Sequence, residues 1–159
     1  ITKTAQEFYQ KLKEFNSDMC HIICFDHGMK KIGIAVSTPD LSFCMPRGLI
    51  RETQIDLQIK ACLEEIVKNK ALAIVIGLPL NMDGTKGSQA ELALKFAIKL
   101  SESCQLPIFM QDERLTSKAA DNLLKNSGLN RKKRSEKDDA VAANLILETT
   151  LAILKNLRG

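Results

Sequence analysis

The chain has no CxxC pair and no Cys/His cluster with zinc spacing, which leaves no soft-metal site to build on. Its five cysteines, Cys20, Cys24, Cys44, Cys62 and Cys104, are odd in number and lie inside apolar stretches. They read as small buried hydrophobes in a reducing compartment rather than as a disulfide framework. No uninterrupted apolar run approaches the roughly 18 residues that span a bilayer. The opening ITKTAQEFYQKLKEF alternates charged with apolar residues, unlike a signal peptide. A cytoplasmic protein without a membrane partner is the expectation. Tryptophan, internal repeats, low-complexity tracts and domain linkers are also absent. What remains is ordinary for a globular chain: 159 residues, 45% hydrophobic and 26% charged, enough for one domain with a sizeable core.

The net charge of +4 is modest, but its distribution is not even. Arg131, Lys132, Lys133, Arg134 and Lys137 fall within seven positions. Such a cluster is a solvated loop, a targeting signal, or a set of phosphate contacts beside a reaction site.

Hydrophobic periodicity orders the elements. Residues 4–16 read as an amphipathic helix, with Phe8, Leu12 and Phe15 at helical spacing, appended to the core. Cys20–Phe25 is a buried strand ending at Asp26, and a short turn leads into a second strand over 32–36, which makes a hairpin. A third strand falls within 43–51. A helix covers 54–68, a central parallel strand 71–77, and a Gly/Pro/Asn/Asp loop 78–87. Ser88–Ser103 forms a helix capped by Ser88 with Glu91 three residues on. A short strand over 107–110 then runs into Gln111-Asp112-Glu113-Arg114. A helix over 116–125, capped by Thr116, ends near Gly128; the basic stretch 130–137 follows, and a closing helix covers 138–154. Three antiparallel strands followed by strand–helix alternation give an α/β fold, a mixed sheet flanked by helices.

Three acids stand at the ends of hydrophobic elements. Asp26 ends one strand, Glu113 follows another, and Asp139 opens a helix. In open α/β sheets ligands bind at such strand ends. Converging carboxylates are also what two-metal phosphodiester chemistry needs, with hard oxygen ligands for ions about 3.5–4 Å apart. Each acid has a plainer reading: Asp26 as a turn former, Asp139 as a helix cap, Glu113 as a partner of the adjacent Arg114. Spacing alone does not bring the three together.

Four segments, FDHGMKKIGIAVS, IVIGLPLNMDGT, DERLTS and KDDAVAANLILE, resemble the YqgF/RuvX family in order and separation, over about residues 20–155. The resemblance implies a ribonuclease H-like fold, related to RuvC-type Holliday junction resolvases, and a nuclease that matures the 5′ end of pre-16S ribosomal RNA. The chain departs from that pattern in an N-terminal helical extension over 1–17, which compact family members lack, ahead of the nuclease domain over 18–159. Carried over by position, the family's acids fall on Asp26, Glu113 and Asp139, holding Mg²⁺ or Mn²⁺. One helical residue turns a side chain by about 100°, so only one of Asp138 and Asp139 faces the site, and the match favours Asp139.

The surrounding residues receive supporting roles on the same terms. Lys30, Asn81, Arg114 and the run Arg131, Lys132, Lys133 and Arg134 are candidate substrate contacts. Arg114 has a planar fork suited to orienting Glu113 or neutralising a phosphate. His27 departs from the Phe or Tyr usual in the family; it either tunes Asp26 or contacts phosphate, or is an exposed turn residue. Gly28 suits a tight turn with positive φ.

The expected partner is nucleic acid, with precursor rRNA ahead of DNA junctions, bound by a monomer or homodimer. A junction resolvase and a non-catalytic nucleic-acid-binding domain are the alternatives. The D-x-G turn of actin-like and sugar-kinase-like ATPases is shared, but those need two domains around a nucleotide cleft.

Overall fold

The computed structural model describes residues 1–14, 21–115 and 136–158, with no description of the side chains of 115 and 136–139. The elements are α1 (Ala5–Glu14), β1 (His21–His27), β2 (Ile32–Ser37), β3 (Cys44–Ile50), α2 (Ile55–Lys68), β4 (Ala71–Leu78), α3 (Ser88–Ser103), β5 (Ile108–Asp112), a 3₁₀ turn (Glu113–Leu115) and α4 (Glu136–Arg158). The expected helix over 116–125, its Thr116 cap, and the basic run 131–134 lie outside the described residues.

The strands form one sheet in the order β3-β2-β1-β4-β5. β1, β2 and β3 pair antiparallel as a meander, and β4 and β5 join β1 in parallel. This is the mixed sheet read from the sequence, and α2, the helical crossover before β4, explains its parallel half.

Alternation sorts the core into two layers. Ile23 and Phe25 of β1 join Ile74 and Ile76 of β4 in a cluster with Ile59, Cys62 and Ile66 of α2 and Phe96, Ala97 and Leu100 of α3. Ile22 and Cys24 point the other way, with Ala73 and Val75 of β4, onto Ala143, Ile146, Leu147, Leu151 and Leu154 of α4. Helix α4 from Ala140 to Arg158 is apolar and long enough, by composition, to cross a membrane. Its apolar stripe is instead spent on the sheet. Cys24 and Cys62 are buried, Cys44 and Cys104 partly so, and all four are free thiols.

Helix α1 is built into this second layer rather than laid over it. Phe8 is fully buried among the α4-facing residues, with its ring stacked on Phe109 at 5.6 Å. Just before the helix, Thr2 bridges to β5, its N–H donating to the Ile108 carbonyl at 2.8 Å. Residue 2 thereby covers part of the free edge of β5, an edge that would otherwise invite strand pairing.

Two local expectations change. Gly87, not Ser88, is the N-cap of α3, with extended backbone and no side-chain cap bond. Gly28 does not take positive φ; among the described glycines only Gly48 and Gly84 do. A Cβ on Gly28 would lie 2.7 Å from the Lys31 carbonyl oxygen, so the hairpin needs glycine there for close approach.

Candidate active site

The parallel register fixes where the first two acids meet. Phe25 of β1 pairs with Ile76 of β4, so Asp26 and Gly77 come one step further along. Gly77 in turn pairs with Gln111 and Leu78 with Asp112, after which the chain turns into Glu113. Asp26 follows Ile22 and Cys24 in the alternation and so belongs to the α4 face. Gln111 is on that face too, because its Oε1 accepts the Thr150 hydroxyl of α4 at 2.9 Å. Asp26 and Glu113 thus flank Gly77 at the carboxyl ends of β1 and β5.

Gly77 makes the approach possible. A Cβ there would lie 3.1 Å from Glu113 Cδ, 3.2 Å from Glu113 Oε2 and 2.7 Å from Ile146 Cδ1. The Glu113 carboxyl group rests against the bare backbone of β4, 5% exposed, while Asp26 is half-buried. The sequence reading took Gly77 only as a strand's end. A glycine closing a β-branched run was the available signal of a close approach.

The polar pair Gln111–Thr150 lies in an otherwise apolar interface, each residue 1% exposed. A buried pair of this kind resists slippage, since moving α4 by a turn would strand Gln111 Oε1, while Thr150 keeps only the Ile146 carbonyl of its own helix at 3.3 Å. It fixes the register of α4 against the strand that ends at Glu113. Asp139 lies near the start of α4; its side chain is outside the described residues. Among the described residues no three His, Cys, Asp or Glu groups cluster as a metal site. Asp26 and Glu113 are hard oxygen donors that fit Mg²⁺ or Mn²⁺.

Arg114 does not use its fork on its neighbour Glu113. Its Nε and Nη2 donate to Asp112 Oδ2 at 3.0 and 2.7 Å, and its N–H donates to Asp112 Oδ1 at 2.9 Å. Burial alone would push the Asp112 carboxyl up, but these bonds and the Arg114 charge hold it below the usual range. The other guanidinium nitrogen, Nη1, would lie 3.2 Å from a Cβ on Gly84, whose φ is +88°. Arg114 therefore sits between β5 and the loop after β4.

That loop is tied internally. Asp83 Oδ1 accepts the Thr85 hydroxyl at 2.6 Å and the Thr85 N–H at 2.9 Å, which holds its carboxyl below the ordinary value. Asn81, exposed, donates from Nδ2 to the Thr85 hydroxyl at 3.0 Å. Lys30 is exposed in the β1–β2 turn.

His27 is neither an exposed turn residue nor on the Asp26 face. It is the last residue of β1 and points the opposite way, stacked on Phe96 of α3 at 4.6 Å. Its Nε2 lies 3.2 Å from Gln58 Oε1. Gln58, 2% exposed, donates from Nε2 to the carbonyls of Glu52 at 2.8 Å and Gly28 at 3.4 Å. With both amide hydrogens used, its Oε1 only accepts, which puts the ring proton on His27 Nε2. Burial lowers the His27 pKa, against smaller upward effects from Gln58 and Asp26. Gln58 clamps the turn after Asp26 to the segment leading into α2, a tie between distant segments that no local pattern announces.

The profile of the RuvX family, described as Holliday junction resolvase, matches residues 20–153. The chain belongs to the RuvX family. Its relatives include a protein of Rickettsia rickettsii (strain Sheila Smith) named "Putative pre-16S rRNA nuclease", 46% identical over 157 residues, 99% of both chains. A Rickettsia bellii (strain OSU 85-389) protein of the same name is 45% identical over the same share. These matches span 157 residues, so they take in the N-terminal helix that lies ahead of the family profile.

Among solved structures, Thermus thermophilus RuvC in complex with a Holliday junction substrate aligns with TM-score 0.52 and 12% identity, covering 85% of this chain and 96% of that one. RuvC alone gives 0.51. The RuvX chain therefore has the ribonuclease H-like fold of the resolvases. Family and relatives together make it a nuclease, a hydrolase of phosphodiester bonds, with nucleic acid as its partner.

Proposed function

We propose that this RuvX protein processes the 5′ end of precursor 16S rRNA in the cytoplasm, with Asp26, Glu113 and Asp139 as its catalytic carboxylates. The observation that carries the reading is the placement of Asp26 and Glu113 on one face, either side of Gly77, at the strand ends. Helical periodicity supports Asp139 as the third acid. Asp139 lies seven residues before Ile146, about two helical turns, on the line that continues through Ala143, Ile146 and Thr150. Asp138 continues instead toward Val141, which is exposed.

The three carboxylates would hold Mg²⁺ or Mn²⁺, which would supply activation of a water and charge stabilisation at the leaving oxygen. Glu113 is buried against the bare backbone of Gly77 at the start of the 3₁₀ turn. Asp26, more open to solvent, stands on the approach side. Lys30, Asn81 and the run Arg131, Lys132, Lys133 and Arg134 contact the RNA backbone, while Arg114 orders the loop after β4 through Asp112. A monomer suffices for cutting one strand.

The test is cleavage of a 5′-extended 16S precursor with Mg²⁺ or Mn²⁺. Wild type cuts at the mature end, and Asp26→Asn does not; equal rates for the two would remove the catalytic assignment. Resolution of a four-way DNA junction is the second reading, favoured by the family description and the RuvC fold. It requires a homodimer to cut two strands symmetrically. Side-by-side cleavage of the junction and the precursor separates the two.

A further inference from the structure

We infer that the β1–β2 turn and the edge strand β3 form a track for the phosphate backbone of single-stranded RNA, made by Lys30, Lys31, Arg51 and Arg47. The inference rests on the precursor-RNA reading and names the surface along which substrate leaves the carboxylates. Lys30 lies four residues after Asp26, in the turn that joins β1 to β2. The antiparallel pair Ile32 and Ile50 brings Lys31 beside Arg51 at the same end of the sheet.

From there the track runs down β3. The register shifts between Ile34, paired with Gly48, and Ala35, paired with Pro46, which leaves Arg47 as the extra residue of a bulge. Bulges beside functional sites re-aim a side chain, and here the strand is exposed from Met45 through Arg47 to Gly48. Arg47 and Arg51 are separated by about 13 Å of extended chain. Met29, 63% exposed beside Lys30, offers an apolar contact for a base.

Charge complementarity selects the occupant. Residues 28–31 and 45–51 carry four cations and no acid. The next acid, Glu52, is half-buried and accepts Gln58 through its carbonyl. A polyanion is the ligand such a surface favours, and the open edge of a sheet suits a flexible single strand.

Arg47 and Pro46 also blunt an edge strand against self-pairing, and the experiment must separate that role. Affinity for a labelled single-stranded RNA is measured against salt, without divalent metal, for wild type, Lys30→Ala/Lys31→Ala, Arg47→Glu/Arg51→Glu, and Lys68→Glu at the far end of α2. Each lost phosphate contact lowers the salt slope by about 0.7. The expected result is a slope reduced by about 1 or more in both double variants and unchanged in Lys68→Glu, with KM for cleavage rising more than kcat falls. Equal slopes in wild type and the double variants overturn the track, as does a loss matched by Lys68→Glu. New self-association of Arg47→Glu/Arg51→Glu with unchanged RNA affinity overturns it too. Wild type that binds no RNA even at low salt overturns the precursor-RNA reading along with it.

Discussion

The Glu113 carboxyl group lies against Gly77, with its Oε2 3.2 Å from where a Cβ on that glycine would stand. Gly77→Ala therefore forces two neighbours. Ile146 Cδ1, at 2.7 Å, and the Glu113 carboxyl, at 3.1–3.2 Å, are both ends of side chains; the first must turn away and the second must give by a few tenths of an ångström. Misplacement of a reacting group by about 1 Å costs on the order of 10²-fold in rate. The shift at Gly77 is smaller, so we expect Gly77→Ala to lose activity by about 10-fold, with a modest loss of melting temperature. Adding Ile146→Val removes Cδ1 and restores the melting temperature while leaving the rate low. Recovery of both together would show that Glu113 had not been displaced.

His27 gives a pH dependence of stability. Its pKa is lowered in the folded chain by burial, so the unfolded chain binds the proton more readily. Stability is full above the unfolded value of about 6.5. It declines as pH falls from there toward the lower folded value. His27→Phe, which keeps a ring against Phe96, should flatten that decline in chemical denaturation between pH 7 and pH 5. An equal decline in wild type and His27→Phe would assign the effect elsewhere.

Helix α1 is predicted to carry stability. Phe8 is 0% exposed and stacked on Phe109, and Phe→Ala in a core costs about 3–5 kcal/mol. The midpoint of thermal unfolding should drop by about 10 °C for a chain of this size. A drop of only a degree or two would mean that α1 rests on the domain without supporting it.

The two periodicities made most of the fold legible. The continuous apolar runs at β1 and β4 and the 3.6-residue stripe of α2 appear within a few residues of where they were expected, because burial on both faces dictates those patterns. The parity of strand positions also placed His27 opposite Asp26, a consequence the local reading of the turn overlooked. What stayed hidden was non-local. Gln58 meets His27 across 31 positions and Thr150 meets Gln111 across 39, and no period links such pairs. The partner of Arg114 was missed for the reverse reason. Asp112, two residues away, offered a better fork geometry than the adjacent Glu113, whose carboxyl turns toward Gly77.

The central claim is that Asp26, Glu113 and Asp139 hold one metal centre, and anomalous diffraction from crystals soaked in Mn²⁺ tests it most directly. The expected result is a manganese peak ligated by oxygens of all three carboxylates, beside Gly77, and its loss in Asp26→Asn crystals. A peak held by Asp138 in place of Asp139, or no peak at the ends of β1 and β5, would contradict it.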